Sequence, residues 1–214
     1  MQIQPAAEEM IVSNRELAFR ALEHAARDCD ACPRMRGRRR VLGAGNGAIR
    51  ARTLFVAEAP GRLGAEKSGI PLHGDQTGKT FERLLAAVGL RRDDVFITNA
   101  VLCNPQSPSG TNDKPTRAEI VRCNHFLSET IAVVDPALVI ALGVSALAAL
   151  SRVERHGLTL RVDLARPTRW FGRYLAALYH PSPRTRVFRS FSEQVDDLAR
   201  CLQTSTTKRG TLRD

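Results

Sequence analysis

The sequence predicts an α/β fold, a three-layer α/β/α sandwich with a central four-stranded, mostly parallel sheet. Four short apolar runs have the length of buried strands, and they occupy residues 53–57, 95–98, 138–142 and 175–179. Segments with helical spacing alternate with these runs, which is typical of a parallel sheet covered by helices on both faces. The chain has 214 residues, 43% of them hydrophobic, and is long enough to build one full core.

Each helix is predicted from the spacing of its apolar residues. The first, over residues 14–28, follows Ser13, whose side chain suits the N-cap position. The later helices are predicted at residues 80–88, 117–133, 143–150 and 190–202. We assign residues 1–203 to a single domain and residues 204–214 to a polar C-terminal tail.

Polar segments follow three of the predicted strands. They begin at Glu58, Asn99 and His180, each directly after an apolar run. In open parallel sheets, ligands bind beyond the carboxyl ends of the strands. The sequence therefore predicts that the functional site lies at this edge of the sheet.

Basic residues outnumber acidic ones, with 32 Lys and Arg against 22 Asp and Glu and a net charge of +10. Such an excess fits a polyanionic partner, such as the phosphates of a nucleic acid. No segment approaches the roughly 20 consecutive apolar residues that span a bilayer, and residues 1–10 do not resemble a signal peptide. We therefore expect a cytoplasmic protein with reduced thiols and no membrane partner.

Four of the five cysteines form a candidate metal site. Cys29 and Cys32 make a C-x2-C pair, and Cys103 and Cys123 follow farther along the chain. Four thiolates suit either a zinc ion or an iron–sulfur cluster. The alternative is that Cys103 and Cys123 are buried small apolar residues, but the polar loop around Cys103 favours a ligand. Cys201 lies among leucines on the last predicted helix, which indicates a core residue.

Five motifs resemble those of the uracil-DNA glycosylase superfamily, in the branches that carry a [4Fe-4S] cluster. They lie, in chain order, at residues 57–61, 69–78, 98–103, 112–123 and 180–183. The first motif, Ala-Glu-Ala-Pro-Gly, is similar to family 4, and the second, which contains Gly-Asp-Gln-Thr-Gly, is closer to family 5. The resemblance extends from about residue 29 to residue 202.

This resemblance implies an enzyme of DNA repair that acts as a monomer on DNA containing uracil. It would hydrolyse the N-glycosidic bond of the uracil and leave an abasic site, and the family 5 features extend the expected substrates to other deaminated bases. It also implies a [4Fe-4S] cluster held by Cys29, Cys32, Cys103 and Cys123.

The reaction calls for two catalytic groups. Breaking the bond leaves negative charge on the base, which a hydrogen-bond donor aimed at a uracil carbonyl oxygen stabilises; His180 is the candidate donor. A carboxylate that orients water or stabilises the cationic sugar is also needed, and the resemblance to family 5 places it at Asp75. Asp75 could instead cap the helix that begins near Thr77.

Further residues are expected to contact the flipped base. The predicted substrate-binding residues are Glu58, Ala59, Pro60, Gly61, Leu72 and Asn99. The amide of Asn99 can both donate and accept hydrogen bonds, which suits the edge of uracil. Leu72 stands where the families usually carry a stacking Phe, and leucine loses part of the roughly 1–3 kcal/mol that an aromatic contributes per base.

Two groups of residues are expected to contact DNA phosphates. They are Arg34, Arg36, Arg38, Arg39 and Arg40 in the first group, and Ser182, Arg184 and Arg186 in the second.

Another interpretation is a protein with an iron–sulfur or zinc site that binds DNA or uracil-DNA with little or no turnover. One branch of the superfamily becomes covalently trapped on DNA through a histidine in an arginine-rich loop. Residues 104–122 contain no histidine, which argues against that branch.

Overall fold

The computed structural model describes residues 5–206 and contains a five-stranded sheet with helices on both sides. The strands are β1 (Thr53–Ala57), β2 (Phe96–Asn99), β3 (Leu138–Leu142), β4 (Thr168–Trp170) and β5 (Arg173–Leu178). The helices are α1 (Pro5–Arg27), α2 (Ala65–Ser68), α3 (Gln76–Ala87), α4 (Arg117–Val134), α5 (Val144–Val153) and α6 (Phe191–Thr206). The predicted α/β sandwich is confirmed, with one strand more than expected.

The strands lie in the order β2-β1-β3-β5-β4. The pairs β1–β2, β1–β3 and β3–β5 are parallel, and β4 alone among the named strands pairs antiparallel, with β5. The prediction of four strands was wrong because it missed β4. That strand has 3 residues, and the side chains of Thr168 and Arg169 are exposed, so no apolar run marks it in the sequence.

Successive side chains of the strands point to opposite faces of the sheet and form two cores. Leu54 and Val56 of β1 pack in a core with residues of α1, α4 and α5. Phe55 and Ala57 pack on the other face with residues of α3 and α6. Cys201 is fully buried in this second core, as the sequence predicts. A sheet covered on both faces explains why β1 and β3 are continuous apolar runs.

Several predicted boundaries differ from the structure, among them those nearest the two ends of the chain. Helix α1 begins at Pro5, so Ser13 lies within the helix and not at its N-cap. Helix α6 extends to Thr206, past the expected start of the polar tail at residue 204. Residues 207–214 of that predicted tail lie outside the described residues. Across residues 5–206, none of the helices combines the length and the apolar character needed to cross a bilayer.

The carboxyl ends of the parallel strands bring distant residues together. Glu58 follows β1, Asn99 ends β2, and His180 lies just beyond β5. Gly143, which follows β3, has a φ of 98°. A Cβ atom on Gly143 would lie 3.7 Å from the Cβ of His180, so the end of β3 also lies beside this histidine.

Candidate active site

A polar pocket lies at the carboxyl edge of the sheet, with an empty volume of about 570 Å³ that includes its open mouth. Seven residues that the sequence singles out line it: Glu58, Ala59, Pro60, Gly61, Leu72, Asp75 and His180. The structure therefore brings together the two predicted catalytic residues and five of the six predicted base contacts; the sixth, Asn99, is not among the residues that line the cavity. We call this cavity the base pocket.

Asp75 has a separate task for each oxygen of its carboxylate. It is the N-cap of α3, where its Oδ1 accepts a hydrogen bond of 2.8 Å from the backbone N–H of Gly78. Its Oδ2 faces the turn after β1, since a Cβ atom would lie 2.9 Å from Oδ2 at Gly61 and 2.6 Å at Gly64. Capping and catalysis are therefore compatible, because the cap uses one oxygen and leaves the other in the base pocket.

Helix α5 fixes the side chain of Glu58 through one hydrogen bond. Ser145, in the first turn of α5, donates a hydrogen bond of 2.5 Å from its Oγ to Oε2 of Glu58. The hydroxyl orients one carboxylate oxygen without neutralising the charge. The base pocket thus contains two carboxylates, Glu58 and Asp75, and the negative charge of each acts to raise the pKa of His180.

His180 is fixed through its backbone in a tight turn. Its carbonyl oxygen accepts hydrogen bonds from the Ser182 N–H at 2.7 Å and from the Thr185 hydroxyl at 2.6 Å. Burial lowers the pKa of the imidazole below its usual value, although the charges of Glu58 and Asp75 act in the opposite direction. The ring is therefore neutral near pH 7 and carries one N–H.

Leu72 is buried in the wall of the base pocket in an unusual backbone conformation. Its φ is 48°, in the left-handed region that residues with a side chain rarely adopt. Such a conformation costs about 1–3 kcal/mol and persists only where the surroundings impose it. The leucine side chain thus occupies a position that local preferences alone would not select.

Three asparagines lie near this edge, and two of them were not among the predicted site residues. Asn99 is buried at the end of β2, and its Nδ2 has no hydrogen-bond partner among the described residues. Asn104, in the loop after β2, is also buried. Its Nδ2 donates hydrogen bonds to the carbonyl oxygen of Pro60 at 2.5 Å and to Oδ1 of Asn112 at 3.0 Å. Asn104 and Asn112 line the base pocket. The sequence could have indicated both as site residues, because they lie in a polar loop that follows a predicted strand.

The four predicted ligand cysteines all line a second cavity, which we call the cysteine cavity. Cys29 and Cys32 follow α1, Cys103 follows β2, and Cys123 lies on α4. The other walls are mainly apolar, and the guanidinium groups of two arginines border it. Burial raises the pKa of Cys103 to about 11 and that of Cys123 to about 12.

The donor set of the cysteine cavity suits an iron–sulfur cluster. Within residues 5–206, no group of three or more His, Cys, Asp or Glu side chains is arranged to hold a metal ion. A single zinc ion would require four sulfurs to converge within about 2.3 Å of one point. Thiolates from four cysteines are also the usual ligands of a [4Fe-4S] cluster, in which each binds its own iron atom.

The predicted DNA-binding arginines of residues 34–40 fall into two classes. Arg34 forms ion pairs with Asp113 at 2.6 Å and with Glu119 at 2.7 Å. Arg40 donates hydrogen bonds to the carbonyl oxygens of Cys29 and Arg38. These contacts argue against Arg34 and Arg40 as phosphate contacts, because their guanidinium groups are engaged within the protein.

The remaining arginines of this segment border an open groove beside the base pocket. Arg38 and Arg39 line the groove together with Gly69 and Ile70. The backbone N–H of Arg39 donates to Oε1 of Glu66 in α2, the helix that also contributes Ala65 to the base pocket. Arg36 is exposed.

The turn after His180 presents a second exposed group. Arg184 and Arg186 are exposed, as are the apolar side chains of Val187 and Phe188. Ser182 is half-buried and belongs to the turn that fixes His180. The predicted second DNA-binding group therefore lies on the turn that follows His180, a residue of the base pocket.

Comparison with known proteins places the whole arrangement in one family. The family model described as Uracil DNA glycosylase superfamily matches residues 44–203. The chain belongs to the uracil-DNA glycosylase superfamily. The matched region includes both walls of the base pocket and two of the four clustered cysteines.

Relatives of two types within the superfamily are similar to the chain. A type-4 uracil-DNA glycosylase of Thermotoga maritima is 32% identical over 169 residues, which cover 78% of this chain and 83% of the relative. A type-4 uracil-DNA glycosylase of Pyrobaculum aerophilum is 34% identical over 129 residues, or 60% of this chain and 62% of the relative. A type-5 uracil-DNA glycosylase of the same organism is 30% identical over 157 residues, or 64% of each. The mixture of family 4 and family 5 motifs in the sequence is thus matched by relatives of both types.

Proposed function

We propose that the protein is a monofunctional DNA glycosylase that hydrolyses the N-glycosidic bond of uracil in DNA, acts on other deaminated bases as well, and leaves an abasic site. The observation that carries this proposal is the base pocket, where a carboxylate oxygen of Asp75 and the neutral imidazole of His180 lie in one cavity. The relatives named as uracil-DNA glycosylases support the choice of uracil.

His180 is the proposed hydrogen-bond donor to the departing base. When the bond between C1′ of the deoxyribose and N1 of uracil breaks, both electrons leave with the base and its carbonyl oxygens gain negative charge. A neutral imidazole N–H that is already fixed in place stabilises this charge without reorganisation. The lowered pKa of His180 keeps the ring neutral, so that it donates a hydrogen bond without transferring its proton.

Asp75 is the proposed carboxylate partner of the sugar. Its Oδ2, the oxygen that does not cap α3, can orient a water molecule towards C1′ or stabilise the positive charge that develops there. The water oxygen bonds to C1′, one of its protons passes to solvent, and the uracil anion takes up a proton from solvent. Atoms and charge are thereby balanced.

The base is proposed to be recognised by its edge and by its face. The orphaned Nδ2 of Asn99 supports a role in reading the uracil edge, because a buried amide without a partner is otherwise costly. The backbone of Glu58, Ala59, Pro60 and Gly61 approaches the base from the turn after β1, and the side chain of Leu72 covers one face. Extrusion of the nucleotide from the duplex precedes this binding.

DNA phosphates are proposed to lie along two basic groups, one in residues 36–39 and one in the turn after His180. Arg36, Arg38 and Arg39 have no carboxylate partner among the ion pairs of the described residues, and Arg184 and Arg186 are exposed beside His180. Together with the net charge of +10, these arginines support a phosphate-binding surface.

We also propose that Cys29, Cys32, Cys103 and Cys123 hold a [4Fe-4S] cluster, for which their shared cavity provides the support. The cluster would cross-link the segment after α1, the loop after β2 and helix α4. The proposed reaction needs no electron transfer, and the chemistry proceeds in a different cavity. We further propose a monomeric, cytoplasmic protein in which residues 1–203 form one domain.

The test is incubation with an oligonucleotide that contains one uracil, followed by alkali to break the strand at an abasic site. We expect strand breakage with the wild type, its near-complete loss in His180→Gln, and wild-type activity in His24→Gln, where an exposed histidine of α1 is changed. Binding of the oligonucleotide by the wild type without strand breakage would instead favour a DNA-binding protein without turnover.

A further inference from the structure

Leu72 is a pocket residue whose conformation needs an external restraint. Its side chain is only 8% exposed, it lines the base pocket, and its φ of 48° is unfavourable for any residue that has a Cβ atom. A residue held in this way at a binding site indicates that its exact placement matters there.

Arg92, in the turn before β2, contacts Leu72 directly. Its Nη2 donates a hydrogen bond of 3.0 Å to the carbonyl oxygen of Leu72, and its Nε donates at 2.8 Å to Oε1 of Glu82 on α3. The side chain of Arg92 is mostly buried, and its Nη1 has no hydrogen-bond partner among the described residues. A buried guanidinium with an unpaired donor destabilises the folded protein, so stability alone does not explain an arginine at this position.

Helix α3 restrains Leu72 from the other side. A Cβ atom on Gly78 would lie 2.7 Å from the carbonyl oxygen of Leu72 and 2.8 Å from the Cα of His73. The first turn of α3 therefore packs directly against the backbone of Leu72. Because Glu82 on the same helix holds Arg92, the helix and the arginine form one rigid support.

We propose that Arg92 is a positioning residue that fixes Leu72 against the flipped base and so sets the width of the base pocket. This inference rests on the proposed function, because it assigns the occupant of the pocket to a base. Arg92 itself does not line the pocket and would act only through the backbone of Leu72.

The kinetic test is a double-mutant cycle with Arg92→Met, Leu72→Ala and the combined variant. We expect Arg92→Met to raise KM for a uracil oligonucleotide on the order of tenfold, since small displacements at a site have effects of this size or larger, with a smaller change in kcat. In the Leu72→Ala background the same substitution should have little further effect, because the residue it acts through has been truncated. Arg91→Met is the matched control, since Arg91 is exposed and pairs only weakly with Asp94; it should behave as the wild type.

Losses that add in the combined variant, or a lowered Tm with unchanged KM, would overturn the positioning role. An inactive wild type would contradict the proposed function, so the restraint that Arg92 places on Leu72 is also tested by a measurement that does not depend on activity. In methyl-labelled protein, the Leu72 signals are identified by their absence in Leu72→Ala. We expect these signals to shift or broaden in Arg92→Met and to stay in place in Arg91→Met; unchanged Leu72 signals in Arg92→Met would overturn the proposal.

Discussion

The base pocket and the cysteine cavity are built from opposite kinds of surface. The base pocket is lined by carboxylates, asparagines and a histidine, and the Oδ2 of Asp75 takes no part in the cap of α3. The cysteine cavity is lined by four thiols among apolar side chains such as Met35, Val101 and Phe126. A polar atom left out of the fold's own hydrogen bonds is suited to a ligand that binds and leaves, whereas half-buried thiols from separate segments are suited to a group that stays bound.

Because of this difference, we expect the base pocket to determine activity and the cysteine cavity to contribute to folding stability. Substitutions of the polar side chains in the base pocket should lower activity and leave stability at neutral pH nearly unchanged, because these side chains are not part of the two apolar cores. Substitutions in the cysteine cavity should lower stability first, because a bound cluster contributes its binding free energy to folding. Variants that break this division would show that the two cavities are coupled.

The largest effect on activity is expected for Asp75→Asn. Asparagine is as good an N-cap as aspartate, so α3 should keep its cap while the pocket loses its charge. We expect the excision rate to fall by about 10²–10⁴-fold, the usual contribution of general acid–base catalysis, with Tm unchanged. The control is Asp93→Asn, which alters an exposed aspartate before β2. Near-wild-type activity in Asp75→Asn would exclude the carboxylate from the reaction and leave Glu58 as the acid residue to test.

The next largest effect is expected for Cys103→Ser, and it should be on stability. Removal of one thiolate should reduce bound iron and visible absorbance and lower Tm, because the loop after β2 is no longer linked to α4. Cys201→Ser is the matched control: this cysteine is fully buried in the core away from the cavity, so its substitution lowers Tm without lowering iron content. Iron content that is unchanged in Cys103→Ser would contradict a four-cysteine cluster.

Most of the fold could be predicted from the sequence because its elements bury continuous apolar runs. The runs at β1 and β3 match the observed bounds, since burial on both faces leaves no polar position to blur them. Strand β4 could not be predicted, because Thr168 and Arg169 are exposed and carry no apolar pattern. Helix α1 was predicted too short because its first residues lack a clear apolar period.

The candidate site could be predicted where a residue sits directly at a strand end, and less well where long-range contacts decide its role. Glu58 and His180 follow strands, so topology alone brings them together. Nothing local marks Arg34 as an internal ion-pair partner, since Asp113 and Glu119 lie far along the chain. The same holds for Ser145, whose hydrogen bond to Glu58 joins residues that only the sheet brings close.

A smaller effect is expected in the pH dependence of stability, and it belongs to the base pocket. The pKa of His180 is lowered in the folded protein, so the unfolded chain binds the proton more readily. Stability from this group is therefore complete above the unfolded pKa of about 6.5 and is lost as the pH falls below it, by at most about 1.4 kcal/mol per pH unit.

Urea unfolding of the wild type and His180→Gln from pH 7.5 to pH 5 measures this contribution. The difference in unfolding free energy between the two proteins should change with pH in that direction, whereas His24→Gln should follow the wild type. A pH-independent difference would show that the imidazole is not desolvated, and that the base pocket is more open to water than its geometry indicates.

The smallest effect is expected for Arg39→Met, which tests the surface between the two cavities. Arg39 contacts Glu66 beside the base pocket through its backbone, while the next residue, Arg40, borders the cysteine cavity. We expect Arg39→Met to reduce the slope of log affinity against log salt by about 0.9 for duplex DNA, the value for one lost phosphate contact, with iron content and Tm unchanged. Arg91→Met is the control, since this exposed arginine precedes β2 and lies outside both basic groups, and it should leave the slope as it is. If Arg39→Met instead lowers iron content, residues 36–40 serve the cysteine cavity, and the phosphate contacts must be sought at Arg184 and Arg186.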